Sequence, residues 1–183
     1  ASADRLLTLF PFEAPYYDGT GLDVVHVGHP LADVLAPIED RAPGRAALGL
    51  GTVDGPLLAV LPGSRAGELA RHAGPFLAAA GALAERRPGL EVVVAVLDAS
   101  AERQVRAAAG AAARGIRVVT GRTQEVLAAA DLALVKAGTG TLEAMLLGTP
   151  IVVAYRLGAS SLAVLSRLGR TPHFALPNLV AGR

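Results

Sequence analysis

From Pro56 onward the chain alternates short apolar runs that show no in/out periodicity with longer Ala-rich helical stretches. The apolar runs fall at 57–61, 91–97, 117–120, 132–135 and 151–154, and the helical stretches at 66–85, 101–113, 123–129 and 141–147. A strand that is apolar on both faces must be covered on both faces, and strands separated by helices pair in parallel. The segment therefore predicts an α/β fold, a doubly wound parallel sheet with helices on both sides. In such a sheet ligands bind beyond the C-terminal ends of the strands. Upstream, the sequence predicts strands at 5–10 and 22–27, a helical turn at 11–17 and a turn at 28–33. Residues 37–55 are rich in Pro, Gly and charge, with one short helix near 41–48, and mark a domain boundary.

Two strand-to-helix junctions carry the chemistry. In Leu134-Val-Lys-Ala-Gly-Thr-Gly-Thr-Leu-Glu143 a buried strand ends in a Gly/Thr loop that opens a helix. A helix N-terminus presents unpaired N–H groups and a positive dipole end, which suits a phosphate or diphosphate. Thr139 and Thr141 add hydroxyls, Gly138 and Gly140 allow close approach, and Glu143 is placed to hold sugar hydroxyls. The alternative is helix capping, with Gly140 as N-cap and Glu143 reaching back to its N–H. A dinucleotide turn fits less well: Glu143 occupies the last Gly position of G-x-G-x-x-G, and no acid follows it. The second junction is Leu61-Pro-Gly-Ser-Arg65, with Glu68 three residues on. Ser64 and free N–H groups start a helix there, and Arg65 can fork onto a phosphate. The competing reading makes Ser64 an N-cap and Arg65–Glu68 a surface pair worth under about 1 kcal/mol.

Composition narrows the function. A net charge of +1 excludes a general nucleic-acid binder. Lys136 is the sole lysine among many arginines, which reads as genomic base composition. The absence of Cys excludes disulfides, Cys-ligated zinc and thiol catalysis. The histidines, His26, His29, His72 and His173, lack metal spacing, so no metal and no cofactor is expected. No apolar run is long enough to cross a bilayer. The start, Ala1-Ser-Ala-Asp-Arg5, lacks Met and a signal peptide and reads as a fragment of a cytoplasmic protein, or of one lying against a membrane. After Glu143 the only charged residues are Arg156, Arg167, Arg170 and Arg183. The stretch 157–170 is either a core helix or a surface that meets anionic lipid. Residues 177–183 read as a loop, in which Asn178 is a turn residue or a reader of a base or sugar.

Taken together, Phe10-Pro-Phe-Glu13, Val27-Gly-His-Pro30, Leu61-Pro-Gly-Ser-Arg65 with Glu68, Gly138-Thr-x-Thr-Leu-Glu143, Tyr155-Arg156 and Pro177-Asn-Leu-x-Ala-Gly-Arg183 resemble the lipid-A-disaccharide synthase family. Their order and spacing carry the resemblance over essentially the whole chain. It implies an inverting GT-B glycosyltransferase with two Rossmann-like domains and no metal. The implied reaction moves 2,3-diacylglucosamine from its UDP donor to 2,3-diacylglucosamine 1-phosphate, at the cytoplasmic face of the inner membrane. By resemblance, residues 1–36 end the N-terminal domain and hinge, 37–55 form a linker, and 56–183 are the C-terminal UDP-sugar-binding domain. Ser64, Arg65, Gly138, Thr139, Thr141, Glu143 and Asn178 would form the donor site. The chain departs from the family in lacking most of the N-terminal half, with the Asp thought to act as base, and the closing C-terminal helices. Gly140 stands where Ala is usual. His29 is a base by type only, at the hinge, where a structural use also fits. Other GT-B nucleotide-sugar enzymes, a MurG-type N-acetylglucosaminyltransferase or a UDP-N-acetylglucosamine 2-epimerase, are the nearest alternatives. A UDP-sugar-binding module without turnover is a third.

Overall fold

A computed structural model describes residues 3–50, 55–110, 115–157 and 175–181. Five strands form one parallel sheet: β3 (Leu57–Leu61), β4 (Glu91–Val96), β5 (Ile116–Thr120), β6 (Leu132–Lys136) and β7 (Ile151–Ala154). Their spatial order is β5-β4-β3-β6-β7. The chain starts at the centre, winds outward through β4 and β5, then returns to the other side of β3. The winding therefore reverses between β3 and β6, and at such a point the loops diverge and leave a crevice.

Burial explains the two-sided cover. All five residues of β3 are buried. Leu57, Ala59 and Leu61 enter one core with Val93, Ala95, Ala133 and Val135. Leu58 and Val60 enter the other with Val92, Val94 and Val96. The second core is closed by α3 (Ala66–Arg86) and α4 (Ala99–Ala109) through Leu69, Phe76, Leu77 and Val105. The first is closed by α5 (Thr123–Ala129) and α6 (Thr139–Leu146) through Val126, Leu127 and Ala144. Helix α3 runs through Pro75, which removes an interior hydrogen bond and costs roughly 3 kcal/mol in an exposed helix. Its buried stripe of Leu69, His72, Ala73, Phe76, Leu77 and Ala80 holds the helix across that break. Asp98 caps α4 by accepting the N–H groups of Ser100 at 2.8 Å and Ala101 at 2.9 Å.

The first part of the chain forms a separate parallel pair, β1 (Arg5–Thr8) with β2 (Asp23–His26), joined through a 3-10 turn at Ala14–Tyr17. Glu13 closes the end of β1 by accepting the N–H groups of Leu9 and Phe10. A short helix, α1 (Leu31–Val34), follows where only a turn is predicted. Helix α2 (Ala42–Ala47) lies in the stretch read as a linker, yet it packs against α5. Leu48 is 2% exposed within the first core. Arg45 pairs with Asp131 at 2.6 Å, and the same carboxylate accepts the N–H of Leu57 at 2.8 Å. The pattern of Pro, Gly and charge hid these contacts because their partners lie some 80 residues downstream.

His72 joins the far edge of the sheet to α3. It is 1% exposed, and its Nε2 accepts the N–H of Arg156 at 2.8 Å. A backbone N–H can only donate, so the ring proton sits on Nδ1, which donates to the Glu68 carbonyl at 2.8 Å. Replacing His72 by Leu keeps the volume but orphans the Arg156 N–H, at a cost of about 1–3 kcal/mol. The urea midpoint of His72→Leu should fall accordingly. An unchanged midpoint would show that this link contributes nothing to stability.

Candidate functional site

The loops after β3 and β6 face each other across the crevice where the winding reverses. Between them lies a cleft of about 410 Å³. Ser64, Arg65, Gly138, Thr139 and Glu143 line it, so the two junctions singled out in the sequence meet in one place. Thr141 and Asn178 are not among the lining residues. Among the described residues, no group of three or more His, Cys, Asp or Glu gathers to hold a metal.

The β3 loop differs from expectation at its centre. Its N–H groups are not free: the Glu68 Oε2 accepts from Ser64 N–H at 3.3 Å and from Arg65 N–H at 3.4 Å. Arg65, not Ser64, is the N-cap of α3. The Arg65–Glu68 pair forms at 3.5 Å, with the Arg65 side chain 85% exposed and the Glu68 side chain only 9%. Sequence reasoning missed its second partner. Lys136, the last residue of β6, donates to Glu68 Oε1 at 3.1 Å and has a side chain only 15% exposed. Its ammonium also lies 5.8 Å from the centre of the Tyr155 ring. Burial pushes the Glu68 carboxyl up. The hydrogen bond from Lys136, the Ser64 N–H, the Lys136 charge and the Arg65 N–H outweigh it, and the group ionises below its ordinary value. The signal available in the sequence was that the sole lysine sits at the end of a strand, one residue before a Gly-rich turn.

The β6 loop opens α6 two residues earlier than read. Gly138 is the N-cap, at φ 155 and ψ −164, a conformation open essentially to Gly. N3 is therefore Thr141, and Glu143 lies beyond capping range. Thr141, expected to face the ligand, is fully buried, and its hydroxyl donates to the Gly138 carbonyl at 2.7 Å. It supports the loop from beneath. Gly140 also works inward: a Cβ there would fall 3.2 Å from Leu61 Cδ2 and 3.4 Å from Val135 Cγ1. Its small size lets α6 sit close on the sheet, and the residue also lines the cleft. Glu143 points toward the cleft rim, where its Oε1 accepts from Gln124 Nε2 at 3.1 Å.

One further expectation changes, that for Asn178, while His29 takes the structural use expected of it. Asn178 belongs to a short helix, Leu176–Ala181, that packs on α6, where a loop was read. His29 serves the backbone: its Nδ1 accepts the Leu31 N–H at 3.2 Å, and its ring lies 5.5 Å from that of Phe10. The apolar stretch with Arg167 and Arg170 lies outside the described residues. Among the described residues, no helix is long and apolar enough to cross a membrane.

Comparison with known proteins bears on the fold and the family. A solved C-terminal domain of a glycosyl transferase group 1 family protein from Francisella tularensis superposes with a TM-score of 0.50 at 15% identity, over 75% of this chain and 84% of that one. That likeness speaks to the fold alone. The lipid-A-disaccharide synthase of Pseudomonas putida KT2440 is 43% identical over 98% of the chain and 48% of its own length. That of Pseudomonas aeruginosa PAO1 is 43% identical over 100% of the chain and 48% of its own length. The chain thus spans about half the length of the curated relatives it matches. The model of the lipid-A-disaccharide synthetase family matches residues 1–183. The chain belongs to the lipid-A-disaccharide synthetase family.

Proposed function

We propose that this chain is the donor-binding half of a lipid-A-disaccharide synthase. In the longer protein, the 6-hydroxyl of 2,3-diacylglucosamine 1-phosphate attacks C1 of UDP-2,3-diacylglucosamine. A β-1,6 bond forms, UDP leaves with the bonding electron pair, and the hydroxyl proton passes to a base. The observation that carries this reading is the meeting of the two strand-to-helix junctions in one cleft at the switch point of the sheet. Arg65 and the first N–H groups of α6 supply the charge that a departing diphosphate needs. Thr139 and Ser64 add hydroxyls on the same walls, and Glu143 at the rim is placed for the ribose hydroxyls. Asn178 takes the nucleotide only on the strength of the family resemblance, through a helix carried by α6.

The base is assigned to the part of the relatives that this chain does not cover. The β1–β2 pair supports a larger whole: Leu7 is 58% exposed and Val25 37%, on a parallel sheet of the type normally covered on both faces. Both substrates carry acyl chains, so the reading places the protein on a membrane surface, at the cytoplasmic side of the inner membrane. The Arg-bearing apolar stretch that follows Leu157 in the sequence is the candidate contact.

UDP should bind more tightly than UMP, because the cleft's donors gather at the diphosphate position; equal affinities in calorimetry would sink the proposal. Glu143→Gln should weaken UDP about tenfold, the worth of a charge-assisted hydrogen bond, and 2′-deoxy-UDP much less. A loss of melting temperature with unchanged binding would make Glu143 structural instead. Residues 1–183 alone should release no UDP from the lipid donor, since a base must lie within hydrogen-bond reach of the acceptor hydroxyl. The full-length protein should turn over, and Arg65→Ala should slow it. Product from residues 1–183 alone would place the base inside this chain, with His29 the first residue to replace.

A further inference from the structure

Four anion-binding donors of the cleft converge on a side chain rather than on open space. One carboxylate, Glu68, takes the N–H groups of Ser64 and Arg65 on Oε2, and the Lys136 ammonium and Arg65 guanidinium on Oε1. Both loops are shaped around this cluster. A Cβ on Gly138 would fall 2.9 Å from Lys136 Nζ, and one on Gly63 would fall 2.9 Å from Glu68 Oε2. An ammonium, a guanidinium and adjacent backbone N–H groups at a helix start are the donor set that takes a phosphate group. The backbone contacts to Glu68 are long, at 3.3 and 3.4 Å, and the contact from Arg65 is 3.5 Å. Bonds at that length are weakly made and readily exchanged.

We propose that Lys136 is a diphosphate-binding residue of the donor site and that Glu68 is an anionic stand-in which the diphosphate displaces. This rests on the UDP-donor reading of the cleft. Lys136 is held out of bulk water between Glu68 and Tyr155, so its charge is pre-oriented at the cleft wall before ligand arrives. Glu68 keeps the empty cluster of donors neutralised. When a phosphate enters, its oxygens take over the donors, and the carboxylate must turn away. Donor affinity is then the difference between two anions competing for one seat.

The test titrates UDP, inorganic pyrophosphate and uridine into the full chain, with melting curves alongside. Four proteins are compared: wild type, Lys136→Met, Glu68→Gln and the double variant. Glu68→Gln keeps the shape but removes the competing charge, so UDP and pyrophosphate should bind several-fold more tightly and uridine as before. Lys136→Met should weaken UDP at least about tenfold and leave uridine unchanged. That single variant strands a buried carboxylate and risks unfolding. The double variant does not, and against Glu68→Gln it should show the same loss for UDP. Equal UDP affinity in the double variant and Glu68→Gln would overturn the role of Lys136. Weaker UDP binding by Glu68→Gln would overturn the displacement and leave Glu68 a structural partner. If folded wild type binds no UDP, the donor-site reading itself fails. If it binds UDP and the variants do not shift it, only the present inference fails.

Discussion

The structure depends on β3 having no exposed face. Its five residues are all buried, with Leu57, Ala59 and Leu61 turned to one core and Leu58 and Val60 to the other. A strand of that kind is stable only at the centre of a sheet covered on both sides. Helices α3 and α4 cover one face, and α5 and α6 the other. With β3 in the centre, the chain must build outward in one direction and then come back for the other. The reversal leaves the C-terminal ends of β3 and β6 side by side, with their loops turning to opposite faces. The cleft is thus a consequence of how the core is covered, and no separate device is needed to open it.

Small residues then set how close the walls come. Ala59, Ala133 and Ala144 pack one face of the sheet with little bulk. Gly140 lets the first turn of α6 rest on Leu61 and Val135. Thr141 ties that turn to the Gly138 carbonyl from the buried side. The N-terminus of α6 is held where it meets the cleft by Thr141, which is fully buried, and by Gly140, which lies between the sheet and the cleft. Positioning and contact are divided between neighbouring residues of one loop, with Gly140 and Thr141 supporting and Thr139 exposed to the cleft wall.

The sheet was legible because its signals are local. Strands at 57–61 and 151–154 and the helix Thr123–Ala129 match the residues read from apolar runs and their punctuation. The cleft-lining loops were legible for the same reason, since a strand, a Gly-rich turn and a helix start are adjacent in sequence. What escaped depends on partners far along the chain. Lys136 looked like base composition until Glu68, 68 residues away, stood 3.1 Å from it. The N–H groups of Ser64 and Arg65 looked free because a carboxylate three or four residues on was read as reaching outward. The 37–50 stretch looked like a linker because Asp131 and the carbonyls that hold its arginines lie far along the chain, at the end of α5 and just beyond it. The helix Leu176–Ala181 begins at a Pro-containing segment, and its packing on α6 overrides a turn-like sequence.

An ion pair at the wall of a ligand cleft needs a reason, because burying two charges is seldom favourable against apolar packing. Here the surrounding groups supply one. Two helix starts, Arg65 and Lys136 all bring positive potential to the same small volume. Left without an anion, that volume would repel its own donors and draw in any counter-ion available. A carboxylate fixed on α3 neutralises it within the chain, and the resulting interactions keep Glu68 ionised. The donors keep their directions, so a ligand phosphate meets a site already ordered. Because the stand-in carries one charge and two oxygens, a diphosphate would outmatch it by more than a monophosphate would. On the donor-site proposal, the pair would make the cleft selective for the number of phosphates without making binding tight, as repeated release of a nucleoside diphosphate would require.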